Sequence, residues 1–223
     1  MTEKEARAWL KTNLDVSRET VERLEAFVAF LGREAQSQNL ISASTHDHIW
    51  TRHIVDSAQL LNFIADKSAV ENWIDLGSGA GFPGLVVAIL TDIPVKLVES
   101  RGRRIDYLQR AIGLLDLEER VSVAGMALER LETAPYSVIS ARAFAPLPRL
   151  FDLAARFSTD KTLWLLPKGR NAAKEWHEVQ PAWPGDFCIE PSITDAEAGI
   201  LVGHLHGMHI NSSASAPKRQ KRR

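Results

Sequence analysis

Asp75-Leu76-Gly77-Ser78-Gly79-Ala80-Gly81-Phe82-Pro83-Gly84 lies between a short apolar run and the start of a helix in this chain of 223 residues. The apolar run, 72–76, is typical of a buried strand, and Pro83 is tolerated in the first turn of a helix. Glycines in such a turn let the backbone approach a ligand closely, and a helix start offers free N–H groups. The stretch therefore predicts a strand, a loop and a helix that together hold a ligand.

Strands and helices alternate after this unit. The predicted strands are 72–76, 95–99, 121–123, 137–140, 162–166 and a strand-like segment at 199–206, and the predicted helices are 83–90, 103–115 and 147–157. Such alternation implies right-handed crossovers and a mostly parallel sheet. The predicted fold class is therefore α/β and Rossmann-like, with a mostly parallel twisted sheet and helices on both faces.

Residues 1–66 lack this alternation and predict an N-terminal helical cap. Within 1–36, apolar residues recur at spacings of three and four, as on one face of a helix: Val21, Leu24, Phe27, Val28 and Leu31. Thr45 or Asp47 can cap a second helix that runs to about Ile64. Residues 67–211 are then the ligand-binding core, and 212–223 are a flexible basic tail.

Positive charge is concentrated in that tail. The net charge of the chain is −1, yet the last six residues carry five positive charges. Lys218 and Arg219 are therefore candidates for contacts with RNA phosphates. A run of charge is equally typical of a solvated end that has no specific role, so both interpretations stay open.

Cysteine content and hydropathy bear on the cellular compartment. The single cysteine, Cys188, cannot form an internal disulfide, and we expect it to be a small core residue. The charged N-terminus lacks the apolar region of a secretory signal, and the apolar run 85–90 is too short to span a bilayer. The histidines lack the supporting ligands of a closed metal site. We expect a cytoplasmic monomer without a metal or a membrane partner.

Two classes of cofactor fit the glycine loop. Gly79, Gly81 and Gly84 satisfy the dinucleotide pattern G-x-G-x-x-G, so NAD is one candidate. Asp75 favours S-adenosylmethionine, because a carboxylate beside the loop repels a pyrophosphate but attracts a sulfonium and an ammonium group. Glu99 ends the second strand, where an acid can accept hydrogen bonds from both ribose hydroxyls of either cofactor. S-adenosylmethionine is therefore the predicted cofactor.

Missing motifs narrow the choice of methyl acceptor. The [D/N]-P-P-[Y/F] element that often serves methylation of exocyclic amines is absent from 140–146, after the fourth strand. Methylation of cytosine C5 needs a cysteine nucleophile, and Cys188 lies late in the chain. Guanine N7 is consistent with these residues, because its lone pair attacks the methyl group without deprotonation and needs mostly positioning. We assign no catalytic acid or base, and Arg142 and Lys168 are the candidates for positioning.

Basic side chains gather at the predicted carboxyl edge of the sheet, where open α/β folds bind ligands. Arg142 follows the fourth strand and Lys168 the fifth, so each can bind the cofactor carboxylate or an RNA phosphate. Arg52 and His53 either contact RNA or form a structural clasp, in which Arg52 pairs with Asp56 at i, i+4. Three further cations begin the helix after the second strand, as phosphate contacts or as a solvated face: Arg101, Arg103 and Arg104.

Three patterns occur together in the chain: R-H-x-x-D-S at 52–57, G-x-G-x-G-[L/F]-P-G at 77–84 and R-A-F-A at 142–145. With them, from about Asn39 to Gly169, the chain resembles the RsmG (GidB) family of small-subunit rRNA guanine-N7 methyltransferases. The resemblance implies a class I methyltransferase fold. It also implies transfer of a methyl group from S-adenosylmethionine to N7 of guanine 527 in 16S rRNA, in the small ribosomal subunit.

The resemblance also implies cofactor contacts from particular residues. It assigns them to Gly77, Phe82, Arg142 and the pair Ala127-Leu128. The family usually has R-[A/V]-E after the third strand, whereas here Leu128 occupies the position of the acid and Glu129 follows it. Together with the loop argument, the candidate cofactor residues are Asp75, Gly77, Gly79, Gly81, Phe82, Glu99, Ala127, Leu128 and Arg142.

Three functions stay open on the sequence. The first is an rRNA methyltransferase that uses S-adenosylmethionine. The second is an NAD-dependent oxidoreductase that uses the G-x-G-x-x-G pattern, which tight NAD binding would select. The third is a non-catalytic ribosome assembly factor with a vestigial cofactor site. Leu128 favours this function, because it stands where the family usually has an acid.

Overall fold

A computed structural model describes residues 1–207, without the side chains of Ala43, Ser44 and His46. The candidate phosphate contacts Lys218 and Arg219 lie outside the described residues. The α-helices are α1 (Glu3–Leu14), α2 (Arg18–Glu34), α3 (Asp56–Ala58), α4 (Gly84–Leu90), α5 (Gly102–Leu114), α6 (Leu147–Ala154) and α7 (Ala172–Val179). The strands are β1 (Trp73–Leu76), β2 (Val95–Val98), β3 (Val121–Ala124), β4 (Val138–Ala141), β5 (Leu163–Pro167), β6 (Gly185–Pro191) and β7 (Gly199–Leu205).

Within residues 1–207 the strands form one sheet in the order β3-β2-β1-β4-β5-β7-β6. The first five strands of that order pair in parallel, whereas β7 runs antiparallel to both β5 and β6. The order changes direction between β1 and β4, which is the switch point where open α/β sheets bind ligands. Asp75 in β1 lies in register with Leu97 of β2 and Ser140 of β4. The predicted α/β class with a mostly parallel sheet is confirmed.

Strand β6 is an element that the sequence analysis did not predict. Within residues 1–207 it pairs with β7 alone and is an edge strand, and its exposed and half-buried residues alternate irregularly. Cys188 lies in this strand and is exposed, so the expectation of a core cysteine is wrong. The reason is position, because β6 lies at the edge of the sheet and most of its residues are exposed or half-buried.

The N-terminal segment contains two helices rather than one. Thr2 and Glu5 form a capping box at the start of α1, and Ser17 caps α2 by accepting a hydrogen bond from the Thr20 amide. Between the two helices, Asp15 adopts a left-handed conformation with φ of 49°, which ends α1. Helix α2 continues past Gly32 to Glu34, and its apolar face is buried.

The second predicted helix of the cap is a series of short helical turns. A 3-10 turn at Ala43–His48 is followed by a π-helix at Trp50–Val55, by α3, and by a 3-10 turn at Gln59–Phe63. The residue before the first turn is Ser42, so the predicted caps Thr45 and Asp47 lie inside it. A π-helix has a wider turn than an α-helix, so side chains four residues apart no longer share a face.

The cap shares its core with one face of the sheet. Phe30 of α2 stacks on Tyr107 of α5 with ring centroids 5.4 Å apart, and the Arg110 guanidinium binds the Glu34 carboxylate through two hydrogen bonds of 2.6 Å. One continuous cluster of buried residues joins α1 and α2 to α4 and α5. The other face of the sheet packs against α6 and α7. The residues before and after the predicted domain boundary at residue 66 therefore share one hydrophobic core.

No helix within residues 1–207 is long and apolar enough to cross a membrane.

The shared core predicts how the cap affects stability. Phe27 is fully buried and packs against Phe82 with centroids 5.5 Å apart. We expect Phe27→Ala to lower the free energy of unfolding by about 3–5 kcal/mol, because it leaves a cavity between cap and sheet. Chemical denaturation followed by circular dichroism and tryptophan fluorescence should give one coincident transition. Arg23→Ala, at an exposed position of the same helix, is the control. Two separated transitions would contradict the shared core.

Candidate functional site

A cleft of about 1000 Å³ lies at the carboxyl ends of β1 and β4. It is bounded by the glycine loop, the cap segment 40–56, the residues after β4 and β5, and the loop between β6 and β7. The sequence-predicted residues that line it are Arg52, His53, Gly77, Gly79, Phe82, Arg101, Arg104, Arg142 and Lys168. Those that do not line it are Asp75, Gly81, Glu99, Arg103, Ala127 and Leu128.

The glycine loop reaches its shape through left-handed backbone conformations. Gly77 has φ of 69° and Gly79 has φ of 57°, which side chains rarely allow. A Cβ atom added at Gly77 would lie 2.5 Å from the Phe144 ring. Any side chain at position 77 would therefore fill the space between the loop and Phe144. Phe144 belongs to the R-A-F-A pattern but was not among the predicted site residues. The loop therefore presents bare backbone to the cleft.

Asp75 supports the loop from below and does not line the cleft. Its side chain is fully buried, and its Oδ1 atom accepts a hydrogen bond from the Ser140 hydroxyl at 2.7 Å while Oδ2 accepts one from the Gly84 amide at 3.2 Å. The indole of Trp73 donates to the Ser140 oxygen at 2.7 Å. Burial raises the pKa of the Asp75 carboxyl, and these hydrogen bonds oppose that shift. Asp75 therefore supports the loop in this structure, and its direct contact with the cofactor stays a prediction.

Glu99 holds the two loops that follow β1 and β2. Its Oε2 atom accepts a hydrogen bond from the Gly79 amide at 3.2 Å, and Oε1 accepts from the amides of Ser100 and Arg101 at 2.8 and 2.9 Å. The Arg104 guanidinium lies 3.8 Å from Oε2. Only 6% of Glu99 is exposed. Its carboxylate thus orients the glycine loop, and its role as a ribose acceptor stays a prediction.

Neither Ala127 nor Leu128 is among the residues that line the cleft. Leu128 is buried in the core on the α6 side of the sheet, and its carbonyl accepts a hydrogen bond of 2.5 Å from Arg156. Glu129 is exposed and lies 4.0 Å from Arg149. Contact of this pair with the cofactor stays a prediction, and burial explains why an apolar residue fits at position 128.

Arg142 connects the sheet to the cap. Its Nη1 atom donates to the Asp56 carboxylate and to the Arg52 carbonyl, both at 3.2 Å, and Nη2 lies 3.0 Å from Nδ1 of His53. The guanidinium also lies over the Phe82 ring, 5.1 Å from its centroid. Asp56 was expected to pair with Arg52 in a structural clasp, and the structure pairs it with Arg142 instead.

His53 belongs to this clasp. A guanidinium has no acceptor, so Nδ1 of His53 must accept from Arg142, and Nε2 then donates to the Thr45 hydroxyl at 3.0 Å. The ring stacks on Phe82 with centroids 4.8 Å apart. Burial, together with the nearby Arg142 and Arg52, lowers the pKa of His53 to about 3. Of its two predicted roles, the structural clasp agrees with the structure, because both ring nitrogens already have partners.

The other cations at the rim of the cleft pair with acids from different segments. Arg52 lies 3.0 Å from Asp195, so the predicted pairing with Asp56 is wrong, and the π-helix explains why. Lys168 lies 3.0 Å from Glu175 of α7. Arg104 pairs with Glu99 and also donates to the Asn39 carbonyl at 3.2 Å, Arg101 is exposed at the rim, and Arg103 is exposed outside it. Asp195 and Glu175 were not among the predicted site residues.

The neutral state of His53 makes stability depend on pH. Between pH 6.5, the pKa of an ordinary histidine, and about pH 3, the unfolded chain binds a proton at His53 that the folded chain does not. Stability is therefore present above pH 6.5 and is lost as the pH falls. We expect His53→Gln to reduce the slope of the unfolding free energy against pH by up to about 1.4 kcal/mol per pH unit between pH 6 and 4.

Urea titrations at several pH values measure that slope. Thr45→Val is the control, because it removes the Nε2 partner but keeps the imidazole and therefore keeps the slope. A slope for His53→Gln equal to that of the unaltered chain would overturn the assignment.

Comparisons with known proteins agree with this architecture. Residues 20–199 match the model of the family GidB, described as rRNA small subunit methyltransferase G. The ribosomal RNA small subunit methyltransferase G of Rhizorhabdus wittichii is 57% identical over 203 residues, which cover 91% of this chain and 92% of that protein. Its counterpart from Zymomonas mobilis is 46% identical over 228 residues, which cover 99% and 98%.

A solved structure gives the fold independently of these relatives. The O-methyltransferase from Bacillus cereus, in complex with SAH, superposes with a TM-score of 0.59 and 17% identity, over 88% of this chain and 96% of that chain. Identity that low supports the class I methyltransferase fold alone. The match to the family model and the identity to its members decide the assignment: the chain belongs to the GidB family, rRNA small subunit methyltransferase G.

Proposed function

We propose that this chain transfers a methyl group from S-adenosylmethionine to N7 of guanine 527 in 16S rRNA. One observation carries the choice of N7. Among the described residues that line the cleft, every carboxylate and imidazole already has a partner: His53 and Asp56 bind Arg142, Glu175 binds Lys168, and Asp195 binds Arg52. An acceptor that must be deprotonated would need a free base. Guanine N7 attacks through a lone pair and needs none.

The residues of the loop fit the proposed cofactor. Gly77 and Gly79 leave a cradle that a Cβ atom would fill at Gly77, so the bare backbone can lie against a ligand. Asp75 and Glu99 place two buried carboxylates around the loop, which favours a cationic ligand over a pyrophosphate. When bound there, S-adenosylmethionine supplies an electrophilic methyl group on a sulfonium. The chain itself holds the cofactor and excludes water with Phe82 and Phe144 at the cleft wall.

The chain then acts mainly by positioning the guanine. The clasp of Asp56 and His53 keeps the Arg142 guanidinium in one place, and Glu175 fixes Lys168 after the neighbouring strand β5. Fixed donors of this kind can orient an RNA phosphate or base so that N7 lies in line with the methyl group. The exposed Arg101 and Arg103, with Arg52 and Arg104, are the proposed phosphate contacts.

The proposal includes the partner and the place of action. The partner is 16S rRNA or the small ribosomal subunit, and the chain acts as a monomer in the cytoplasm. Membership of a methyltransferase family favours this function over an NAD-dependent oxidoreductase. The assembly-factor alternative rests on Leu128, whose burial in the core gives a structural reason for the missing acid.

The decisive measurement is methyl transfer from labelled S-adenosylmethionine to small subunits that lack the modification, followed by mapping of the labelled base. We expect label at N7 of guanine 527. Label at another base would keep the enzyme class and overturn the position. Cofactor binding without any label would favour the assembly factor, and binding of NAD without S-adenosylmethionine would favour the oxidoreductase.

The cofactor position has its own test. We expect Gly77→Asp to weaken S-adenosylmethionine binding by at least about 100-fold, because the new side chain meets Phe144 and the backbone needs a positive φ. Isothermal titration calorimetry measures this, with folding checked by circular dichroism. Gly32→Asp, where an added Cβ meets nothing within 4 Å, is the matched control and should leave the affinity unchanged. Equal affinities for both variants would count against the position of the site.

A further inference from the structure

The loop between β6 and β7, residues 192–198, forms one wall of the cleft and is anchored to the cap. The Thr194 hydroxyl donates to Oδ1 of Asp56 at 2.8 Å. Gln59, which is 2% exposed, donates to the Ser192 hydroxyl at 3.2 Å and accepts from the Ile193 amide at 3.0 Å. These contacts hold the base of the loop against the same Asp56 that binds Arg142.

The tip of the loop carries two acids that pair with arginines. Asp195 lies 3.0 Å from Arg52, and Glu197 lies 2.5 Å from Arg170, which follows β5. The hydrogen bond from Arg52 lowers the pKa of Asp195, with a smaller contribution from the charge of Arg170. Both pairs are open to solvent, with 43% of the Arg52 side chain and 73% of the Arg170 side chain exposed.

We propose that Asp195 and Glu197 occupy, in the free protein, the positions on Arg52 and Arg170 that two backbone phosphates of the RNA take on binding. This inference rests on the proposed function and adds Arg170 to the RNA-binding residues. A guanidinium binds a carboxylate and a phosphate with the same planar geometry, so one anion can replace the other. Exposed ion pairs are weak and are screened by salt, whereas binding of RNA phosphates also releases counterions.

The anchoring contacts make this exchange local. The loop contacts Asp56 and Gln59 through uncharged groups. These are the hydroxyls of Thr194 and Ser192 and the backbone amide of Ile193. Loss of the two arginine partners therefore leaves the base of the loop attached to the cap. When RNA binds, only Asp195 and Glu197 at the tip lose their arginine partners. The rest of the loop keeps its position next to Arg142.

Removal of each competing carboxylate tests the exchange. Asp195→Asn keeps the acceptor oxygen for the Glu197 amide, which donates to Oδ1 at 3.1 Å, so the turn is preserved. In filter binding to an unmodified 16S rRNA transcript at low salt, we expect Asp195→Asn and Glu197→Gln each to bind about two- to five-fold more tightly. Arg52→Gln and Arg170→Gln should each bind more weakly and should lower the salt slope by about 0.7.

A control separates the exchange from a simple gain in net charge. Asp92→Asn removes the same charge from an exposed carboxylate that does not line the cleft and lies 2.9 Å from the half-buried Arg120. It should leave RNA binding unchanged. In the double variant Arg52→Gln/Asp195→Asn, the gain from Asp195→Asn should disappear.

The inference is overturned if Asp195→Asn and Glu197→Gln bind no more tightly than the unaltered chain, if Asp92→Asn gives the same gain, or if the gain persists without Arg52. Its failure is distinct from failure of the proposed function. Label at N7 of guanine 527 with no gain from either variant overturns the exchange alone. A gain that depends on Arg52, with label at another base, keeps the exchange and overturns the position of methylation.

Discussion

The buried carboxylate of Asp75 is the group around which the cleft is built. A charged group without solvent costs several kcal/mol unless its oxygens are paired, so its partners must stay in place. Ser140 on β4 and the amide of Gly84 at the start of α4 occupy its two oxygens, and Trp73 directs the Ser140 hydroxyl by donating to its oxygen. These contacts fix β1, β4 and α4 relative to one another. The glycine loop joins β1 to α4, so its position depends on how these elements are held.

The same strand that binds Asp75 delivers the arginine of the site. Ser140 lies in β4 and Arg142 follows the strand, so the spacing that pairs the carboxylate also sets where the guanidinium emerges. Asp56 and His53 of the cap bind this guanidinium. His53 must be neutral, because only an unprotonated Nδ1 can accept a hydrogen bond from Arg142. The cap is thus part of the site, which agrees with its shared core.

Local patterns predicted the elements and the cofactor loop, whereas long-range partners could not be predicted. The glycines, the strand before them and the cations after β4 and β5 were found because each has a signal within a few residues. Glu99 was found at the right strand end, but its bonds to the amides of Gly79 and Arg101 depend on how two loops meet. The partners Asp56 and Asp195 lie 86 and 143 residues from the arginines that they bind. Strand β6 was missed because an edge strand has little apolar periodicity.

The charges around the cleft separate the two ligands that the proposed reaction brings together. Asp75 and Glu99 lie buried at the loop, on the side that a cationic cofactor would occupy. The exposed cations Arg52 and Arg101 line the cleft on the side open to an anionic RNA. A cofactor and a nucleic acid of opposite charge are then each attracted to one region and repelled from the other. The charge distribution can therefore contribute to the binding of both ligands without any group that transfers a proton.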